Sequence, residues 1–333
     1  VNNEIFVTDG LNHRVLGFEL DSSGLPVDNT ADSVLGQTNF TNNSASVSTS
    51  TINLPYDLAY DSTSSTLFVV DANNARVLLF DLSDGVTNGE DAIRILGQES
   101  FDVSFTYQNN VNNITVTSDT LALTTGITYS TTNNKLFVVD YNNNRVVVFD
   151  TSEVENGEDA VDVLGQTDAS GLPVFTTNYA NNSGTNNTGL YAPRGAVLDA
   201  VGNRLFIADN YNFRVLVFNL DGNHELLDYE ADYVLGQADF SSHLATTTRS
   251  GMEYGRDIDF DSDNNYLYVV DSFNNRIVVY DVATIDEGGE DAIYVLGQDD
   301  FTSSVAATTQ NGMDTPRGVY YESVNDYLYV GDY

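Results

Sequence analysis

The sequence predicts an all-β protein built as a β-propeller, and three repeating features carry that expectation. The stretch from Leu67 to Phe80 recurs at Ile5 to Phe18, Leu136 to Phe149, Leu205 to Phe218 and Leu267 to Tyr280, with a sixth copy from Leu328 to Tyr333. Each copy is two apolar, β-branched runs joined by a polar DxxNxR pivot, the pattern of a β-hairpin. Each full copy is preceded or followed by a further short run, the last ending in Leu-Gly-Gln at Gln37, Gln98, Gln166, Gln237 and Gln298. Four strands per unit, repeated along a chain, build the blades of a propeller.

Taken in order, Ile5 to Thr8, Arg14 to Leu20 and Ser33 to Gly36 give three strands, without the innermost strand of their blade. Four complete units follow, their inner strands at Tyr56 to Tyr60, Gly126 to Tyr129, Gly195 to Leu198 and Asp257 to Phe260. The last segment supplies an inner strand, Gly318 to Tyr321, and one more. The expectation is therefore a single domain over 1–333 with six four-stranded antiparallel blades, at about 1–37, 54–98, 123–166, 193–237, 255–298 and 316–333, the first and last incomplete. A five-bladed ring is the rival count. Either the two ends meet in one blade or a neighbouring subunit donates strands to the open edges.

Three segments carry a family resemblance. Pro193 to Asp199, Asn203 to Asp209 and Asn212 to Phe218 resemble the PxGVAVD, GNxYVAD and NxRVxVF segments of NHL-repeat propellers, and the likeness recurs in every unit. It implies a fold and leaves function open, since that family spans scaffolds, ligand binders and a few enzymes. It also implies that the long outer-to-inner connections, such as Glu99 to Leu123 and Thr167 to Ala192, share a face with the DxxNxR turns. Long connections on one face of a repeat protein are often its binding face.

Composition narrows the partners. The formal net charge is -37, from 12 Lys plus Arg against 49 Asp plus Glu, with Lys135 the single lysine. Phosphate backbones and anionic membranes would be repelled, so neither nucleic acid nor membrane insertion is expected. With no cysteine, disulfides and thiolate chemistry are excluded. A start at Val1 rather than Met, richness in Asn, Thr and Ser, and sequons at Asn39, Asn42, Asn113, Asn181 and Asn186 point outward, to an extracellular or cell-surface location with N-glycans.

Four constellations of polar residues stand out. The first is the repeated set Asp9, Asn12, Arg14; Asp71, Asn74, Arg76; Asp140, Asn143, Arg145; Asp209, Asn212, Arg214; and Asp271, Asn274, Arg276. A feature every blade demands is explained by blade packing, so these and the Leu-Gly-Gln ends are expected to be structural, the Asp and Asn supplying residues that tolerate positive φ in the turn. The second is Arg194, Arg256 and Arg317, at one equivalent position beside the inner strands. They would form an anion site at a channel mouth or pair with carboxylates such as Asp199 and Asp257.

The third is the recurring Gly-Glu-Asp of the third-to-fourth-strand loops, Glu90 and Asp91, Glu158 and Asp159, Glu290 and Asp291. It reads as a solvated acidic loop or a weak calcium site, without EF-hand spacing. The fourth is the histidines, His13, His224 and His243, too scattered for a three-His zinc site. No catalytic residues or cofactor other than calcium are expected, and no GxSxG, HExxH or P-loop is present. The functional expectation is a non-enzymatic extracellular module, structural or interacting, self-associating as a filament or tube subunit because one mouth bears Arg and the other face is acidic. The alternatives are a secreted receptor for a glycan or small ligand, and a lyase or hydrolase with a channel site.

Overall fold

A computed structural model describes residues 3–103, 115–182, 184–285 and 288–333. Alternating apolar runs become antiparallel strands in chain order. A three-stranded sheet, β1 (Glu4–Asp9), β2 (Arg14–Glu19) and β3 (Ser33–Leu35), is followed by β4 (Pro55–Asp61), β5 (Thr66–Asp71), β6 (Arg76–Asp81) and β7 (Arg94–Leu96). Next come β8 (Thr124–Ser130), β9 (Lys135–Asp140), β10 (Arg145–Asp150) and β11 (Asp162–Leu164), then β12 (Ala196–Asp199), β13 (Arg204–Asp209), β14 (Arg214–Asn219) and β15 (Tyr233–Leu235). The last four-stranded sheet is β16 (Gly255–Asp261), β17 (Tyr266–Asp271), β18 (Arg276–Asp281) and β19 (Tyr294–Leu296), and β20 (Gly318–Glu322) with β21 (Tyr327–Gly331) ends the chain.

The expectation of six blades is corrected to five among the described residues: four four-stranded sheets and the three-stranded one. The two strands expected of the last unit, Gly318 to Tyr321 and the one at Leu328 to Val330, do pair, Val319 with Val330 and Tyr321 with Leu328, but no further strand joins them. Two strands make a ribbon rather than a blade. The chain divides into two compact units, Val1–Asn143 with Val147–Asp162 and Phe175–Thr177, and Asn144–Val146 with Val163–Val174 and Asn178–Tyr333. In the first, Val15, Leu35, Ile52, Leu67, Val69, Leu78 and Phe80 pack as one buried cluster; in the second, Phe206, Val217, Leu235, Met252, Val269, Val278 and Tyr280 do so. Among the described residues no helix is long and apolar enough to cross a membrane.

The DxxNxR pivot closes differently from expectation. Asp71 pairs with Arg76 across the hairpin, Ala72–Asn74 make one 3-10 turn, and Ala75 takes the left-handed conformation at φ 53°. His13, Asn144, Phe213 and Asn275 stand at that left-handed position in the other blades. The motif Asn is therefore not the positive-φ residue. It stays in the 3-10 turn because its amide bonds back to the motif Asp, as Asn74 does to Asp71 at 2.9 Å.

Leu-Gly-Gln is a second repeated device. The Gln amide donates to the carbonyl of the left-handed residue and to the next connection: Gln237 reaches Phe213 O at 2.8 Å and Leu244 O at 3.0 Å, Gln298 reaches Asn275 O and Val305 O, and Gln37 reaches His13 O and Ser44 O. The Gly before it has positive φ, +87° at Gly97, where a Cβ would lie 2.5 Å from Leu121 Cδ1. Gly97→Ala should thus cost on the order of 2 kcal/mol through backbone strain and overpacking, read as a lower denaturant midpoint with unchanged slope. An unchanged midpoint would contradict this role.

Candidate functional site: an aromatic shelf on a repeated polar frame

The frame is built from the motif triads. Arg76, Arg145, Arg214 and Arg276 are fully buried. Arg214 Nε donates to Asp209 Oδ2 at 2.7 Å, and its other nitrogens reach the carbonyls of Phe240, Asn186 and Gly189. Arg76 and Arg276 repeat this on Asp71, Phe101, Ser48 and Thr51, and on Asp271, Phe301, Thr248 and Gly251. Arg14 holds Asp9 at 2.7 Å in a more open setting. Asn143 donates to Asp140, Asn212 to Asp209, Asn274 to Asp271 and Asn12 to Asp9. Arg76, Arg214 and Arg276 thus each staple their hairpin to two connections, and burial holds the Asp71, Asp209 and Asp271 carboxyls above the usual range despite them.

The Oδ1 of four of the motif Asp residues fixes one further residue. It accepts the N–H of Asn53 at Asp71, Ala122 at Asp140, Tyr191 at Asp209 and Glu253 at Asp271, at 2.6 to 2.7 Å. That residue's carbonyl accepts the N–H of the turn: Asn73 on Asn53, Asn142 on Ala122, Tyr211 on Tyr191 and Phe273 on Glu253. The backbone frame is therefore the same in four blades while its side chains are not. Asn53 with Asn73 and Ala122 with Asn142 give way to Tyr191 with Tyr211, and to Phe273 beside Tyr254.

These rings form a shelf in the second unit. Centroids lie 5.0 Å apart for Tyr191 and Tyr211, 5.8 Å for Tyr211 and Tyr254, and 4.3 Å for Tyr254 stacked on Phe273. Tyr191 and Tyr211 are each 39% exposed and Phe273 53%. Tyr254 enters β16 with φ 69°. Buried Arg194 donates to its hydroxyl at 3.0 Å and lies 5.2 Å from its ring centre. Burial pushes the Tyr254 hydroxyl up, but the Arg194 guanidinium and its other polar neighbours outweigh that and hold it below its ordinary value.

The other residues of interest are dispersed. Of the three equivalent arginines, Arg194 supports the shelf, Arg256 is half-buried on β16, and exposed Arg317 covers the Tyr333 ring at 3.8 Å. Asp199 is held by Arg204 at 2.7 Å, and Asp257 accepts the Val319 N–H at 2.9 Å. His13 accepts from the Leu54 N–H, His224 meets Ala200 O and His243 meets Ser241 O. Sequon Asn39 bonds within its own turn and Asn42 to Thr38, Asn186 folds onto Thr188 and Gly189, Asn181 accepts from Asn212, and Asn113 lies outside the described residues.

The Gly-Glu-Asp loops have a use the sequence did not disclose. In them, Asn88 accepts the Val34 N–H and Asn156 the Ile95 N–H, so each loop clasps the outer strand of the preceding blade. Gly289 does the same through Gln237 O. The carboxylates serve these loops: Glu90 accepts from Thr87 N–H, Glu158 from Glu155 N–H, Asp91 from Thr49, Asp159 from Ser118, while Glu290 bridges Leu235 and Asp291 lies 4.0 Å from Arg249. Among the described residues no three His, Asp or Glu converge as metal ligands. Chelation is accordingly expected to leave the melting temperature unchanged, with Ca2+ and Mg2+ acting alike through ionic strength; a rise in Tm specific to Ca2+ would contradict this.

No protein-family model and no curated protein matches the chain. Solved structures do. A nidogen/laminin complex is 14% identical with TM-score 0.54, over 99% of this chain and 84% of that one. Kuenenia stuttgartiensis hydrazine synthase is 13% identical, TM-score 0.54, over 99% and 70%, and a putative 6-phosphogluconolactonase from Bacteroides uniformis ATCC 8492 is 11% identical, TM-score 0.54, over 98% and 74%. At such identities the likeness concerns fold alone. The protein is a β-propeller.

Proposed function

We propose that the protein is a non-enzymatic interaction module, of the NHL type its segments resemble, which binds through the shelf of Tyr191, Tyr211, Tyr254 and Phe273. One observation carries the reading: on a backbone frame repeated from blade to blade, exposed aromatic rings replace small polar residues in two adjacent blades. What every blade shares is explained by packing, whereas what two blades alone show needs a different cause. The finer form places the protein outside the cell as a subunit meeting copies of itself through unlike surfaces, since the clasp loops are acidic while Arg194, Arg256 and Arg317 each stand at or beside a different inner strand.

A photo-crosslinking p-benzoylphenylalanine at position 211 tests it, with Val201, 78% exposed on the loop between β12 and β13, as control. Adducts from native cell-surface material are expected at 211 and not at 201. Equal labelling at both, or hydrolysis of sugar lactones above the buffer rate, would overturn the reading.

A further inference from the structure

We infer that the shelf binds an uncharged saccharide, an inference that rests on the interaction reading and names its ligand class. The charge argument comes first. A chain with net charge -37 repels anions at a distance. At the shelf itself the Arg194 guanidinium, on Tyr254, opposes a cation, and Glu253, whose carbonyl accepts the Phe273 N–H, opposes an anion. An uncharged ligand pays neither penalty.

The rings then select its shape. Tyr191, Tyr211 and Phe273 present exposed apolar ring surface. A pyranose offers a flat C–H face to such a ring and hydroxyls around its rim. A hydrocarbon would satisfy the rings but not the polar groups among them. Here the unusual residue is Asn210, which precedes Tyr211. It is fully buried, beyond a ligand's reach, and its side chain lies against the Tyr254 hydroxyl, to which Arg194 also donates. That hydroxyl is thereby held in place between an amide and a guanidinium. A ligand hydroxyl, which donates and accepts at once, extends this chain at Tyr254. The Arg194 contact makes the Tyr254 hydroxyl a stronger donor to that ligand oxygen. In the corresponding frame positions, Asn73 and Asn142 offer no ring, so the shelf is confined to blades four and five.

Isothermal titration of the full chain with cellohexaose, mannohexaose and hexagalacturonate, at low and high salt, tests this. Saturable binding of a neutral hexasaccharide, indifferent to salt and tighter than that of the uronate, is expected. Phe273→Ser should weaken it by roughly tenfold through loss of one stacking ring, and Phe273→Tyr should restore it; position 273 is exposed, and equal melting curves show that folding is intact. Tighter binding of the uronate, or binding untouched by Phe273→Ser, overturns the inference. A proteinaceous adduct at position 211 with no saccharide bound overturns the ligand class and leaves the interaction reading standing. No saccharide and no adduct removes both.

Discussion

Arg214→Ala should lower the unfolding free energy by about 3 to 5 kcal/mol, the loss that follows when one partner of a buried ion pair is removed. The guanidinium is fully buried and its nitrogens reach Asp209, Phe240, Asn186 and Gly189. Truncation would leave the Asp209 carboxylate and three carbonyls facing a cavity. Arg214→Lys should recover little, because a single ammonium on a flexible stem cannot reach Asp209 and two connections at once. The penalty should shrink as pH falls. Burial already holds the Asp209 carboxyl above the usual range, so protonation is an accessible escape for the unpaired acid. Melting or denaturant titration of both variants at neutral and mildly acidic pH checks this; an Arg214→Ala midpoint equal to wild type would show that the triads do not hold the blades. Arg145, equally buried, should behave alike.

The triads, the Leu-Gly-Gln ends and the strand order were legible because each recurs, and repetition at fixed spacing says that every blade needs the same contacts. Burial of Asp71, Asn74 and Arg76 follows from that logic, as does Gln237 on a backbone carbonyl. The blade count was not legible. Leu328 to Val330 copy the start of a repeat unit, but a copy of a strand does not show whether the outer strands of a blade form around it. The turn conformation misled for a related reason: Asn is tolerant of positive φ, yet Asn74 and its equivalents gain more by bonding to the motif Asp, and the left-handed position falls to Ala75 or Phe213.

The shelf lay outside any local pattern. Tyr191 and Tyr254 come from different connections and meet only through Tyr211, and no spacing rule relates them. A signal was nevertheless present. Aligning the units with one another shows aromatic residues at 191, 211 and 273 where Asn or Ala stands in the second and third units. The same alignment places Asp57 and Asp257 together, and both prove to bridge inner strands, Asp57 to the Ile127 N–H and Asp257 to the Val319 N–H.

Asp259 extends that second pattern and supplies the other large expected effect. It accepts the Tyr321 N–H at 2.6 Å and the Phe260 N–H at 2.9 Å, joining β16 to β20. Burial among protein atoms outweighs these two donors and raises its carboxyl from 3.8 to about 6. The fold therefore favours the neutral acid. Stability attached to Asp259 is complete below the ordinary Asp value, about pH 4, and is lost as pH rises through about 6. The ionised form is penalised by about 3 kcal/mol when fully desolvated, and the little solvent still touching this largely buried residue trims that to about 2 to 3 kcal/mol. Asp259→Asn never ionises, but its single side-chain oxygen replaces two that accept separately, Oδ2 from Tyr321 and Oδ1 from Phe260, so it gives up one hydrogen bond at every pH. Relative to wild type it should be less stable by about 1 to 3 kcal/mol at about pH 4 and should gain about 2 to 3 kcal/mol on wild type between about pH 4 and about pH 8, which for a chain of this size is several degrees in Tm. Because the difference between the two proteins is read, the general effect of pH on so acidic a surface cancels. A constant difference across that range would place Asp259 in contact with water, and a variant that loses further ground to wild type as pH rises would mean that its charge, rather than its acceptor oxygens, holds β20 in place.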